Sequence, residues 1–383
     1  MKMSPKISLL LVGCMLVSVA CGDEDEPLTL TSGPAPDHEA DMFRTVLKDL
    51  TAAKQLPVKG NWPDDFGDAN FYGPGFFYRY ARGQGGNPHQ EALGHETHAY
   101  NMEVLTDSLA DAGKLVKNLE DVMMSLFGLI ERYHHSPDPA SLTMLDKAID
   151  VILLLTGTMD YYPEGSSSVG GYGVDTYGPT TTNATLALLC LEYAGTVGGA
   201  KKAQRIAEAV AILEKGRTMA WLKDKGYYKF SSTRSGLFLY PNITQLMSHV
   251  RAYELTQKKL YLDRAVDLHL AIQGLKVKGE GRYRSPYSAT YMGAKTDDYT
   301  TLSSQNFTMI GLSLLYQQTK TAGLKQEIVD ILAFIRTRLL SGGRVLHHWM
   351  DGKLAVPSDP EYYCSGCNLQ MLYIIHRMDE LLR

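Results

Sequence analysis

The sequence has no excess of basic residues: 38 Lys and Arg stand against 42 Asp and Glu in 383 positions, a formal net charge of −4. That balance excludes the electrostatic footprint of a nucleic-acid-binding protein. The N-terminal apolar run, Ile7 to Ala20, is too short to cross a bilayer as a mature helix. No zinc-protease motif is present, because His95-Glu96-Thr97-His98 falls one residue short of the HExxH spacing. The Gly-rich stretch Ser166–Gly173 has no phosphate-loop Lys and no strand-to-helix setting, so it reads as a rim loop. Neither a metal nor a cofactor is expected. Cysteine is scarce, with five residues, and each can be placed individually.

What is present is an ordinary globular balance, 44% hydrophobic and 21% charged, ample for a large core. Tyrosine is abundant at 23 residues. A tyrosine ring offers a flat apolar face and a polar tip, which suits sugar rings as well as cores. Lys2 and Lys6 precede the apolar run, which ends Val17-Ser18-Val19-Ala20-Cys21-Gly22. This resembles a bacterial lipoprotein signal, in which Cys21 receives lipid and becomes the new N-terminus, although Ser18 stands where a Leu is usual. Removal of residues 1–20 leaves 36 basic against 42 acidic residues, a charge of −6. Residues 21–36, with Asp23-Glu24-Asp25-Glu26 and a Pro-rich end, read as a tether, and residues 37–383 as one domain. The resemblance implies a lipid anchor in the cell envelope, facing the periplasm or the cell surface.

The remaining cysteines divide in character. Cys14 lies in the signal, and Cys190, within Leu188-Leu189-Cys190-Leu191, reads as an inert buried thiol. Cys364-Ser365-Gly366-Cys367 is a CxxC without the βαβ context of a redox motif. A local disulfide stiffening the entry to the last helix is the expectation. Zinc with His347 and His348, or free thiols, are the alternatives.

Helical periodicity dominates from residue 37 onward. It predicts eleven helices, near 38–54, 96–112, 116–134, 139–157, 183–196, 201–222, 242–257, 259–276, 306–319, 322–340 and 368–382. Four of them open on an Asn: Asn183, Asn242, Asn306 and Asn368, at steps of 59, 64 and 62. Three carry a Tyr ten or eleven residues later: Tyr193, Tyr253 and Tyr316. A period near sixty signals a repeated supersecondary unit. An Asn at a helix start caps exposed amides, and that role accounts for all four. Asn-led helices such as Met309–Leu315 are apolar almost all round and therefore buried. Their partners, such as Lys201–Glu208, are charged on one side. Segments Gly226–Phe230, Gly281–Arg284 and Gly343–His348 follow the charged helices and read as short strands at one rim.

Inner and outer hairpins of this period, with elaborated loops where inner helices begin, resemble the (α/α)6 toroid of six-hairpin glycosidases and related polysaccharide lyases and sugar epimerases. The resemblance covers roughly residues 37–383 and is architectural. It implies an all-α toroid and a glycan as partner. Asp175 and Asp298 each stand eight residues before a helix-opening Asn, with Asp297 adjacent to the second. In such a fold they overlook the central cavity, where two carboxylates serve an inverting glycosidase as acid and base. The Asp297-Asp298 doublet resembles the paired Asp of α-mannan-cleaving members. The structural alternative is that each Asp braces the rim.

A second chemistry uses Arg234, Arg282 or Arg284 to pair with a uronate carboxylate. Tyr177, Tyr240, Tyr283, Tyr299 or His98 then serves as base or acid, as a lyase or epimerase requires. Tyr177, Tyr240, Arg282, Tyr299 and His98 are accordingly the candidate substrate contacts. A non-catalytic glycan- or protein-binding lipoprotein is the third reading. His249 and His376 lie within helices and read as core residues.

Overall fold

The structure is a computed structural model that describes residues 119–135, 137–157, 179–231, 235–285 and 298–341, with shorter stretches at 105–110 and 344–374. Its first long helices are α1 (Leu119–His135) and α2 (Pro139–Gly157). Helix α2 starts where Asp138-Pro139 predicts. The Asp138 carboxylate accepts from the Ser141 N–H at 2.7 Å, and Pro139 occupies a first-turn position where no N–H is needed. Helices α3 (Pro179–Thr196), α5 (Leu239–Thr256) and α7 (Leu302–Thr319) each run 18 residues. Each is followed by a partner: α4 (Gly199–Ala220), α6 (Lys259–Ile272) and α8 (Ala322–Phe334).

The two sets bury different amounts of themselves. Helix α7 is buried from Ser304 through Leu315, as its all-round apolar surface requires. Helix α6 buries a single stripe, Tyr261, Ala265, Leu268 and Ile272, at the spacing of one helical face. Helices α1, α3, α5 and α7 pack side by side in chain order, and α2, α4, α6 and α8 each back the helix before them. This is the expected inner wall and outer wall. The inner helices approach closely at Gly311, where an added Cβ would lie 2.6 Å from Ile243 Cδ1.

The inner helices begin earlier than their asparagines suggest. Asn242 is the fourth residue of α5, whose N-cap is Phe238 with no side-chain cap. Asn183 and Asn306 are the fifth residues of α3 and α7. The capping role is therefore corrected: at α7 the cap is Thr301, whose hydroxyl accepts from Ser304 N–H. The tyrosines mark the true register. Tyr193, Tyr253 and Tyr316 are each the fifteenth residue of their helix. The Tyr253 and Tyr316 carbonyls accept the closing N–H of Gln257 and Lys320, both in the left-handed conformation.

Among the described residues, short antiparallel ladders follow the outer helices α4, α6 and α8. Strands β1 (Trp221–Leu222) and β2 (Tyr227–Tyr228) lie between α4 and α5. A single bridge, Lys276 to Tyr283, lies between α6 and α7. After α8 a π-helical turn, Ile335–Leu339, leads into β4 (Leu340–Ser341) and β5 (Arg344–Val345). Strand β3 (Tyr299–Thr301), just ahead of α7, pairs with β6 (His348–Met350), which pairs with β7 (Lys353–Leu354). The expected strands at 226–230, 281–284 and 343–348 thus correspond to β2, the Tyr283 bridge, and β5 with β6.

Side chains stitch the walls. Among outer helices, fully buried Arg205 of α4 reaches Asp146 and Asp150 of α2 at 2.6 Å each. Arg264 of α6 meets Glu214 of α4 in a two-pronged pair at 2.6 and 3.0 Å. His269 of α6 meets Glu327 of α8 at 3.2 Å. Along the inner wall, Arg251 of α5 grips Glu192 of α3 at 2.7 and 2.5 Å, and Gln318 of α7 donates to Glu254 at 2.7 Å. Two-pronged guanidinium pairs fix direction as well as distance, so they hold neighbouring helices in register.

Candidate functional site

The site is built where inner helices begin. Between β2 and α5, the Asn242 amide brackets the backbone of one residue: its Oδ1 accepts from Tyr228 N at 2.8 Å, and its Nδ2 donates to Tyr228 O at 3.0 Å. Between the Tyr283 bridge and α7 the same work is done by Gln305, at 3.0 Å to both Tyr283 N and Tyr283 O. Gln305 is the fourth residue of α7, as Asn242 is of α5. Asn306 points elsewhere, donating to the Cys367 carbonyl at 2.8 Å and to Gln370 Oε1 at 3.2 Å. It ties α7 to the helical residues that follow Cys367.

Asp298 lies at the rim, one residue before β3 and four before α7 begins. Its side chain is 36% exposed, and Oδ1 accepts from Arg282 Nη2 at 2.5 Å. Arg282 is fully buried. Its Nε donates to Glu280 at 2.8 Å and its Nη1 to Thr300 Oγ1 at 2.9 Å, with the guanidinium 5.7 Å from the Phe334 ring centre. All three nitrogens are engaged within the chain. Arg282 is thus corrected from a substrate contact to a brace.

Tyr299 is likewise corrected: it is wholly buried in β3, so its ring faces protein. Tyr240, on the first turn of α5, is half-buried and sets its ring edge-on to Phe307 at 4.9 Å. Tyr283 is buried, and its hydroxyl donates to Glu327 at 2.5 Å. Burial, then the adjacent Glu327 charge, push its phenol well above the usual range. Asp175, Asp297, Tyr177, His98, Cys21 and Cys364 lie outside the described residues, as do Arg234, His95 and the segment 1–36.

Glu327 is held down to about 2. Burial alone would raise it, but hydrogen bonds from His269, Tyr283 and Gln273 outweigh that cost. His249 is buried in the core as expected, with Nε2 3.1 Å from Tyr228 Oη, and burial pushes its ring down to about 3. Cys190 is a free buried thiol pushed up to about 12 by burial, which makes it unreactive. Cys367 is buried and disulfide-bonded.

The buried polar side chains near the starts of the inner helices are uncharged: Thr180 to Asn183 on α3, Asn242, Thr244 and Gln245 on α5, and Ser304 to Asn306 on α7. Gln245 Nε2 donates to Thr180 O at 3.4 Å, and Ser248 Oγ to Ala184 O at 2.8 Å, so α5 is sewn to α3 by neutral groups. Sequence reasoning missed Gln305, Thr300 and Glu327. Only Gln305 left a signal, its position at the same helical turn as Asn242.

No protein-family model and no curated protein matches the sequence. Solved structures do resemble the fold. An unsaturated glucuronyl hydrolase specific for heparin is 13% identical with a TM-score of 0.62, over 91% of this chain and 98% of that one. An inactive α-1,6-mannanase variant of Salegentibacter sp. HEL1_6, with two consecutive Asp-to-Asn replacements and bound α-1,6-mannotriose, is 11% identical. Its TM-score is 0.60, over 90% of this chain and 99% of that one. A cellobiose 2-epimerase from Bacillus thermoamylovorans is 12% identical with a TM-score of 0.59, over 89% and 98%. The chain has the (α/α)6 toroid fold of these proteins.

Proposed function

We propose that this chain is a carbohydrate-active enzyme, a glycoside hydrolase that works through carboxylates at the mouth of its toroid. One observation carries the reading. Asp298 is a partly exposed carboxylate fixed four residues ahead of an inner helix, its orientation set by a buried guanidinium. An anchored carboxylate suits a general base, which must point one oxygen at one water. Asp175 stands at the equivalent offset, four residues ahead of α3, and is assigned as the acid. Asp297 is the neighbouring alternative. A doublet of this type is replaced in the inactive mannanase, which supports the assignment by analogy.

The lyase or epimerase alternative needs a cation for a uronate. Of the three arginines expected to supply it, Arg282 is committed within the chain, Arg284 donates Nη2 to the Gly274 carbonyl at 3.2 Å, and Arg234 lies outside the described residues; the commitment of Arg282 favours a neutral glycan.

The test is turnover of neutral and uronate oligosaccharides with product analysis by NMR. Hydrolysis of a neutral substrate, abolished in Asp298→Asn and Asp175→Asn, supports the reading. Unsaturated products or epimers favour the alternative. Tight binding without turnover makes the chain a binding lipoprotein. We also propose that Cys21 carries lipid and tethers the chain to the cell envelope. Incorporation of a labelled fatty acid that persists in Cys21→Ala would refute this.

A further inference from the structure

We propose that Arg282 and Thr300 are positioning residues for Asp298, and that the strand and helix around them form a frame that aims this carboxylate. The inference rests on the reading of Asp298 as a catalytic residue. Its geometry is independent of that reading. Arg282 has no freedom to choose a partner: Glu280, Thr300 and Asp298 each take one guanidinium nitrogen, at 2.8, 2.9 and 2.5 Å. Phe334 lies against the guanidinium at 5.7 Å, and Phe334 is itself packed edge-on against Trp349 at 5.9 Å.

Thr300 fixes the other end. Its hydroxyl donates to the Tyr283 carbonyl at 3.0 Å, so its lone pair faces Arg282. The Tyr283 N–H and carbonyl are in turn both held by Gln305, and Tyr283 Oη is held by Glu327. The backbone of Thr300 is paired with Trp349 in the next ladder. Asp298 therefore hangs from a guanidinium that is itself located by α7, β6 and α8. A displacement of about 1 Å at a reacting group costs on the order of a hundredfold in rate. A frame of this kind controls turnover more than affinity.

The experiment compares Thr300→Val and Thr300→Ser in the full chain, with Asp298→Asn as reference, on a neutral oligosaccharide that the wild-type chain cleaves. Valine keeps the shape of threonine and removes both hydrogen bonds, while serine keeps the hydroxyl. The expected result is a fall in kcat of about tenfold or more with KM unchanged in Thr300→Val, recovered in Thr300→Ser. Arg282→Met should act in the same direction and more strongly. If Thr300→Val does not fold by circular dichroism, Arg282→Lys takes its place: it keeps the charge but loses the fork, and kcat should again fall at constant KM. A normal kcat in a folded Thr300→Val or Arg282→Lys, when Asp298→Asn is inactive, overturns the inference and spares the proposed function. Full activity in Asp298→Asn overturns both.

Discussion

Gly281 is the tightest point of the frame, and replacing it with Ala tests whether the frame is as rigid as its geometry implies. The hairpin that carries it is closed by Val277 N–H on the Arg282 carbonyl at 2.8 Å and Arg284 N–H on the Leu275 carbonyl at 2.8 Å. Gly281 has φ +72, and a Cβ there would lie 2.5 Å from the Asp330 carbonyl oxygen and 2.8 Å from its carbon. Both contacts are with backbone of α8, which cannot rotate away. Left-handed backbone costs a non-Gly residue about 1–2 kcal/mol, and overpacking adds about 1–3 kcal/mol. Gly281→Ala should therefore destabilise by about 2–5 kcal/mol, a fall in Tm of roughly 3–7 °C for a domain of this size. Gly279→Ala is the internal control. Its φ is +79 but nothing lies within 4 Å of the added Cβ, so only the backbone cost applies. Thermal unfolding by circular dichroism, checked by urea midpoints at constant slope, gives both values. Equal Tm values for the two variants would refute the claim that hairpin and α8 are locked together.

Three further outcomes follow from the walls. Gly311→Ala pushes a Cβ to 2.6 Å from Ile243 Cδ1 between two inner helices. It should cost up to about 2 kcal/mol after its gain in helix propensity, and Gly311→Ala with Ile243→Val should cost less than the sum of the single changes. Glu327 is depressed from 4.5 to about 2, so its contribution is complete above pH 4.5 and is lost as pH falls toward 2. That contribution is about 3 kcal/mol, and urea titrations of Glu327→Gln between pH 2 and 6 should lack this part of the acid slope. Arg251→Met leaves Glu192 and Glu254 facing each other in a half-buried setting and should cost about 2–3 kcal/mol. Adding Glu192→Leu should recover part of the urea midpoint.

Among the described residues periodicity located the helices well because the two walls bury such different fractions of their surface; the helices expected at 38–54, 96–112 and 368–382 lie wholly or largely outside those residues. The stretches expected at 139–157, 259–276 and 322–340 correspond to α2, to α6 with its closing 3-10 turn, and to α8 with its π turn. The starts at Asn183, Asn242 and Asn306 were late by three or four residues. The cause is physical. A capping residue and a residue that faces inward one turn later are both small and polar, and composition does not separate them. Asp298 was legible as a rim carboxylate from its distance to a helix start. Its tie to Arg282 was not, since the two lie sixteen positions apart and no local pattern links them.

The repeat is one of tasks, and the letters follow only where chemistry leaves no choice. Aligned on asparagine, Asn242 corresponds to Asn306. Aligned on structure, it corresponds to Gln305, one residue earlier. Asparagine and glutamine both end in an amide that can give and take a hydrogen bond, so either can clamp the N–H and carbonyl of one residue. The longer arm of Gln305 reaches a tyrosine on an irregular bridge, while the shorter arm of Asn242 reaches one on a regular strand. Once Gln305 took over the clamp, Asn306 was left free to bond the Cys367 carbonyl. The tyrosines at the fifteenth helical position keep the same register, and at Tyr253 and Tyr316 the carbonyl accepts the N–H that closes the helix, a backbone bond that sets the position and leaves the letter open. The residues that hold a toroid together are therefore best found at its helix ends, by asking which peptide each amide must satisfy.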